Sequence, residues 1–168
     1  MRTYLPWLTA LLVLACDRVT KALVVDHLEP GSWTPVLPGF ALTHVHNRGI
    51  AFSLFADGGW VSRILLHLVI LTAVVVIAAM AVRHGHHRRL AGLAFGLILG
   101  GALGNLVDRI LYGWVIDFVH LWVRIGQRVW SWPDFNVADS AITIGAVLLV
   151  VQELWRSEPR GEHASDPD

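Results

Sequence analysis

Charge is what this chain has least of. Of 168 residues only 15% are Asp, Glu, Lys or Arg, against 55% hydrophobic. A soluble domain carries about 25% charged residues, so the chain has too little polar surface to coat a water-exposed globule. Lysine and arginine balance aspartate and glutamate at 13 each, and no net field points to nucleic acid. One cysteine, Cys16, excludes an internal disulfide and leaves the redox compartment unread. There is no internal repeat, and no low-complexity segment beyond a polar tail after Trp155. No Walker-type phosphate loop occurs. No Cys or acid stands at ligand spacing from His44 and His46, and His84, His86 and His87 sit among arginines, so no metal or cofactor is expected. Ser53 and Ser140 lack an evident base.

What the chain does have is long apolar runs. A membrane helix needs about 20 mostly apolar residues. Four segments qualify, roughly 4–25, 60–82, 89–112 and 138–156. The length fits a single membrane domain, with connections at about 26–59 and 113–137 and a polar tail over 157–168. Four buried helices of a soluble bundle would show polar faces, and the second segment shows almost none. Of eight tryptophans, Trp7, Trp60, Trp114 and Trp155 fall at segment ends, as interfacial belts require. Arg2, Arg83, Arg88, Arg89, Arg156 and Arg160 cluster in the N-terminal stub, the 83–89 loop and the tail, while the long connections hold Arg48, Arg124 and Arg128. The positive-inside rule then puts both termini in the cytoplasm and the long connections outside.

With that orientation the awkward polar residues fall at one depth. Asp17 and Lys21 lie in the outer half of the first segment. Asn105, Asp108 and Arg109 lie in the last third of the third, at about 1.5 Å per residue. Asp117 lies just beyond it, and Asn136, Asp139, Ser140 and Thr143 lie at the outer mouth of the fourth. Ionisable groups inside spans are costly and mark a functional site facing the bundle interior. Gly92, Gly96, Gly100 and Gly104 form a close-packing stripe that continues to Asp108. Gly101, Asn105 and Arg109 form the adjacent stripe.

Each polar residue also has a structural reading. Asp17 and Lys21, four apart with the acid first, suit a helical ion pair. Asp108 and Arg109 are adjacent, so each needs partners on other helices; Asp108 suits support equally, and the Arg109 fork suits a ligand carbonyl or carboxylate. Asn136 and Asp139 have capping-box spacing. Asp117 has no such structural role, and its apolar flanks would raise its pKa by desolvation. Two acids at one depth, Asp117 and Asp139, suggest a dyad sharing a proton, one activating water and one polarising a carbonyl. That is peptide hydrolysis without metal. The N-terminus up to Cys16 also reads as a lipoprotein signal, but the apolar pattern resumes after Asp17.

Five blocks in order, "DRVTK" at 17–21, "NRGIAFS" at 47–53, "GNLVDR" at 104–109, "VIDF" at 115–118 and "WPDFNVAD" at 132–139, resemble bacterial lipoprotein signal peptidase (signal peptidase II). The resemblance spans residues 5 to 155. It implies an α-helical inner-membrane protein of four transmembrane helices with a small extracytoplasmic β-sheet cradle, for which the alternating stretch 41–55 is the candidate strand. It implies an aspartyl endopeptidase that cuts prolipoproteins just N-terminal to a diacylglyceryl-cysteine, with no cofactor. By block matching, Asp117 and Asp139 are catalytic, Asn47, Asn105, Arg109 and Asn136 line the substrate, and Asp17, Lys21 and Asp108 give support. Arg18 and Ile50 depart from the family's commonest wording, Gln and Ala. The implied partners are lipidated prolipoproteins and membrane lipids, and with both acids on one chain a monomer suffices. The alternative reading is a small transporter or channel subunit with an outer-leaflet polar site.

Overall fold

The computed structural model describes residues 4–49, 59–84 and 89–157. The candidate strand residues 50–55, Ser53, the loop histidines 86 and 87 and the tail from 158 onward lie outside the described residues. Among the described residues eight elements follow one another: α1 (Leu5–His27), β1 (Trp33–Leu37), β2 (Phe40–Asn47), α2 (Gly59–His84), α3 (Arg89–Leu111), β3 (Val115–Ile125), β4 (Arg128–Ser131) and α4 (Val137–Ser157).

α3 is the central helix, packed on α1, α4 and α2. Its glycines explain the closeness. A Cβ added at Gly100 would lie 2.6 Å from the Ala10 carbonyl oxygen of α1, and one at Gly104 2.6 Å from Asp17 Oδ2. A Cβ at Gly101 would lie 2.4 Å from the Ala138 carbonyl oxygen of α4. One stripe therefore seats α1 and the next seats α4, and close approach of small residues draws backbones together. Polar residues on those stripes are carried into the two seams. α2 meets α3 through Ala81, Ala91 and Phe95 and leaves most of its apolar surface exposed.

Among the described residues three helices are long and apolar enough to cross a membrane: 64–84, 89–111 and 137–155. α1 has the length, at 23 residues, but carries Asp17, Arg18, Lys21 and Asp26. Asp17 and Lys21 are fully buried in the protein, so their charge is hidden from the surroundings of the helix.

The long connections fold into one four-stranded antiparallel sheet of order β1-β2-β3-β4. β2 ends at Asn47, and residues 50–55 of the alternating stretch lie outside the described residues. Among the described residues the longest strand is β3, at 11 residues, within the connection expected at 113–137. α3 stops where Gly113 adopts φ 81 and its N–H returns to the Arg109 carbonyl, 3.1 Å away, a left-handed helix cap that suits glycine. The chain then enters β3 at once, so Asp117 sits on a strand beside the ends of α3 and α4. Ile116 and Phe118, its neighbours, pack with Val24 of α1.

Candidate active site

Asp117 is 1% exposed. Its Oδ1 accepts a hydrogen bond from Asn136 Nδ2 at 2.7 Å and its Oδ2 one from Asn47 Nδ2 at 2.9 Å. Burial, and next the negative charge of Asp139, push its carboxyl up to about 7, against the pull of the Asn47 and Asn136 amides and the Lys21 charge. A carboxyl that is deprived of water beside a second acid holds its proton into the neutral range.

Asp139 is held by the same residues. Its Oδ1 accepts Asn105 Nδ2 at 2.7 Å, and its Oδ2 accepts the Asn136 backbone N–H at 3.3 Å. Asn136 Oδ1 in turn accepts the Asp139 N–H at 3.0 Å. These reciprocal bonds are a capping box at the start of α4. Asn136, fully buried, thus touches both carboxyls: one through its side-chain amide, the other through its backbone. The helix cap and the convergence of the two acids are one arrangement.

A buried ionic cluster lies behind. The Lys21 ammonium, with no exposed surface, stands 2.8 Å from Asp17 Oδ2 and 2.7 Å from Asp108 Oδ2, and donates to Asn105 Oδ1 at 3.1 Å. Two carboxylates and an amide oxygen thus surround the ammonium, the close polar neighbours that a buried charge requires. The expected Asp17–Lys21 pair is present. Asp17 Oδ1 accepts the Ala138 N–H at 3.0 Å, so α1 also helps cap α4. Asp108 pairs with Arg18 through Oδ1, and its Oδ2 accepts the Ile116 N–H at 3.2 Å. Ile116 directly precedes Asp117.

Arg109 is engaged within the protein. Its Nη2 donates to the Gly49 carbonyl at 2.8 Å and its Nη1 to the Asn105 carbonyl at 3.3 Å, while its buried Nε has no partner. Asn47 Oδ1 accepts the Gly49 N–H at 3.0 Å, so Arg109 steadies the turn that orients the Asn47 amide. All nine residues named from the sequence gather around the two acids or the cluster behind them.

Two features were not anticipated. Arg18 lies ninety positions from Asp108 in sequence, and nothing local announces that contact. His120 Nδ1 lies 2.7 Å from Asp134 Oδ1, which also receives Thr43 Oγ1 at 3.3 Å. The apolar alternation of Val119, Leu121, Val123 and Ile125 was the available signal for His120, since it places residue 120 on a strand.

A family model described as signal peptidase (SPase) II matches residues 9–155. The chain belongs to the signal peptidase II family. Lipoprotein signal peptidase of Burkholderia mallei (strain SAVP1) is 45% identical over 152 residues, covering 90% of this chain and 89% of that one. Lipoprotein signal peptidase of Paraburkholderia phymatum is 46% identical over 153 residues, with the same shares covered. A solved bacterial membrane enzyme superposes with a TM-score of 0.77 at 26% identity, over 96% of this chain and 94% of its own. As a member of this family the protein is a membrane protease that removes signal peptides from prolipoproteins. A transporter or channel subunit is not favoured.

Proposed function

We propose that Asp117 and Asp139 are the catalytic dyad of an aspartyl endopeptidase that cuts its prolipoprotein just N-terminal to a diacylglyceryl-cysteine. The observation that carries this reading is Asn136, which binds Asp117 with its amide and Asp139 with its backbone N–H. The raised carboxyl of Asp117 makes it the holder of the shared proton. Asp139 is then the base. It takes a proton from a water whose oxygen attacks the scissile carbonyl, while the Asp117 proton hydrogen-bonds the carbonyl oxygen as negative charge develops there. Collapse of the tetrahedral adduct breaks the C–N bond, and the proton gained by Asp139 goes to the leaving nitrogen.

Asn105 and Asn136 hold the acids. Asn47 and Arg109 border the space a peptide would occupy. Asp17, Lys21 and Asp108 supply support. We assign four spans, with α1 as the fourth because its charges are buried against α3. Both termini lie in the cytoplasm, and the dyad lies at the outer face of the bacterial inner membrane. There the part-exposed Asp139 meets water while acyl chains stay in lipid. One chain holds the complete dyad, so the monomer is the working unit.

The test is a gel-shift cleavage assay on purified protein with one prolipoprotein, carrying or lacking diacylglycerol on its cysteine. Cleavage of the lipidated form alone is expected. Equal cleavage of both forms contradicts the lipid requirement.

A further inference from the structure

His44 and His46 stand just before Asn47 on β2, outside the dyad's hydrogen bonds. The strand carries an irregularity between Leu42 and Val45, and such bulges re-aim side chains. His44 is buried, and its Nδ1 lies 2.8 Å from the Leu28 carbonyl oxygen. A carbonyl only accepts, so Nδ1 carries a proton and Nε2 of the neutral ring offers a lone pair. The Nε2 of His46 is 3.2 Å away, at hydrogen-bonding distance. The ring centroids are 5.0 Å apart with planes at 73°, and His46 is fixed from its other side by stacking on Trp114 at 4.6 Å.

These distances fit two ligands of one ion. Nitrogens bound tetrahedrally to Zn²⁺ at about 2.0–2.1 Å stand about 3.3 Å apart, with ring centroids about 5 Å apart. A head-on N–H···N bond of the observed length would hold the centroids about 5.5 Å apart. The ring axes are therefore inclined towards a shared point. We propose that His44 and His46 form a bidentate site for a borderline divalent cation such as Zn²⁺, completed by solvent. The Leu28 carbonyl is the outer partner that fixes the His44 tautomer, as metal-binding histidines require. Two neutral imidazoles without a carboxylate favour Zn²⁺, Cu²⁺ or Ni²⁺ over Mg²⁺ or Ca²⁺. Arg48, over Trp114 at 5.9 Å, adds positive charge nearby and keeps the affinity moderate. The site is separate from the proteolytic chemistry, but a bound ion would stiffen the strand that presents the Asn47 amide to Asp117.

The experiment uses full-length protein in detergent with His84, His86 and His87 changed to Ala, so that those three histidines cannot take up the added metal. Zn²⁺ is titrated by calorimetry into this parent and into the same protein carrying His46→Gln. One Zn²⁺ per chain is expected for the parent. Affinity should fall at least about tenfold in the variant, since even loss of an outer partner costs 10–100-fold. Zn²⁺ should also raise the thermal unfolding midpoint of the parent and not that of the variant. No saturable binding by the parent, or the same isotherm in both proteins, overturns the proposal.

Discussion

Asn136 makes three contacts at once, two with its side chain and one with its backbone. Its carbonyl oxygen caps α4, its amide binds Asp117, and its backbone N–H meets Asp139. Substitutions can separate these tasks. Ser also caps helices, so Asn136→Ser should keep most of the stability, whereas Asn136→Ala should lose about 1 kcal/mol from the cap. Both lose the amide, a hydrogen bond to an acid of about 1.5–3 kcal/mol, so both should cleave about tenfold or more slowly. Thermal unfolding beside initial cleavage rates checks this, and full activity in Asn136→Ser would remove the amide from the mechanism. The pH dependence follows from Asp117. Its folded carboxyl is raised above the ordinary 3.8 to about 7. The protonated form is therefore the one the fold favours: its contribution to stability is complete below about pH 4 and is lost as pH rises through 7. The dyad works with one shared proton, so cleavage should fall on the alkaline side with a midpoint near 7, read as the apparent value of a coupled pair. A rate still rising at pH 8–9 would contradict this. At this scale the sequence was informative where chemistry is local. The apolar flanks of Asp117 and the Asn136–Asp139 spacing each stated their consequence. The contact of Arg18 with Asp108 could not be read, because only the docking of α1 on α3 creates it.

Helix α3 shows how an element converts a pattern into a site. Glycines at 96, 100 and 104 face α1, and Gly101 faces α4. The polar residues that continue these stripes, Asp108 and Asn105, therefore arrive in the seams already turned inward. Gly101→Ala would put a methyl group against the Ala138 carbonyl, which belongs to the first turn of α4 next to Asp139. Overpacking of this kind costs about 1–3 kcal/mol. A lowered unfolding midpoint is expected, together with slower cleavage, because α4 must shift and carry Asp139 from Asn105. Unchanged activity would show that the dyad tolerates movement of α4. The stripe was visible as a four-residue repeat, whereas the sheet was mostly not. Only β2 was anticipated, from the alternating stretch that starts at residue 41. β3 is buried on both faces over residues 115–118, which erases the alternation that marks a half-buried strand.

At the scale of the whole molecule, the buried charged residues Asp17, Lys21, Asp108, Arg109 and Asp117 concentrate at one end of the helix assembly, and the sheet lies at that end. Most of the apolar surface of α2 lies open, as lipid-facing surface does. The orientation read from arginine placement is testable after replacing the exposed Cys16 with Ala. A cysteine at Gln127, in the turn between β3 and β4, should react in intact cells with a maleimide that cannot cross the inner membrane. A cysteine at Gly85 should react only after lysis. The reverse pattern would invert the orientation. Family membership fixes the reaction as removal of prolipoprotein signal peptides, and the geometry supplies the account of how two acids could perform it.

That account is tested most directly by cleavage of a lipidated prolipoprotein by Asp117→Asn and Asp139→Asn, each shown to be folded by its unfolding midpoint. The prediction is complete loss of product in both variants under conditions where the wild type goes to completion. Normal cleavage by either folded variant would remove that aspartate from the dyad and contradict the mechanism.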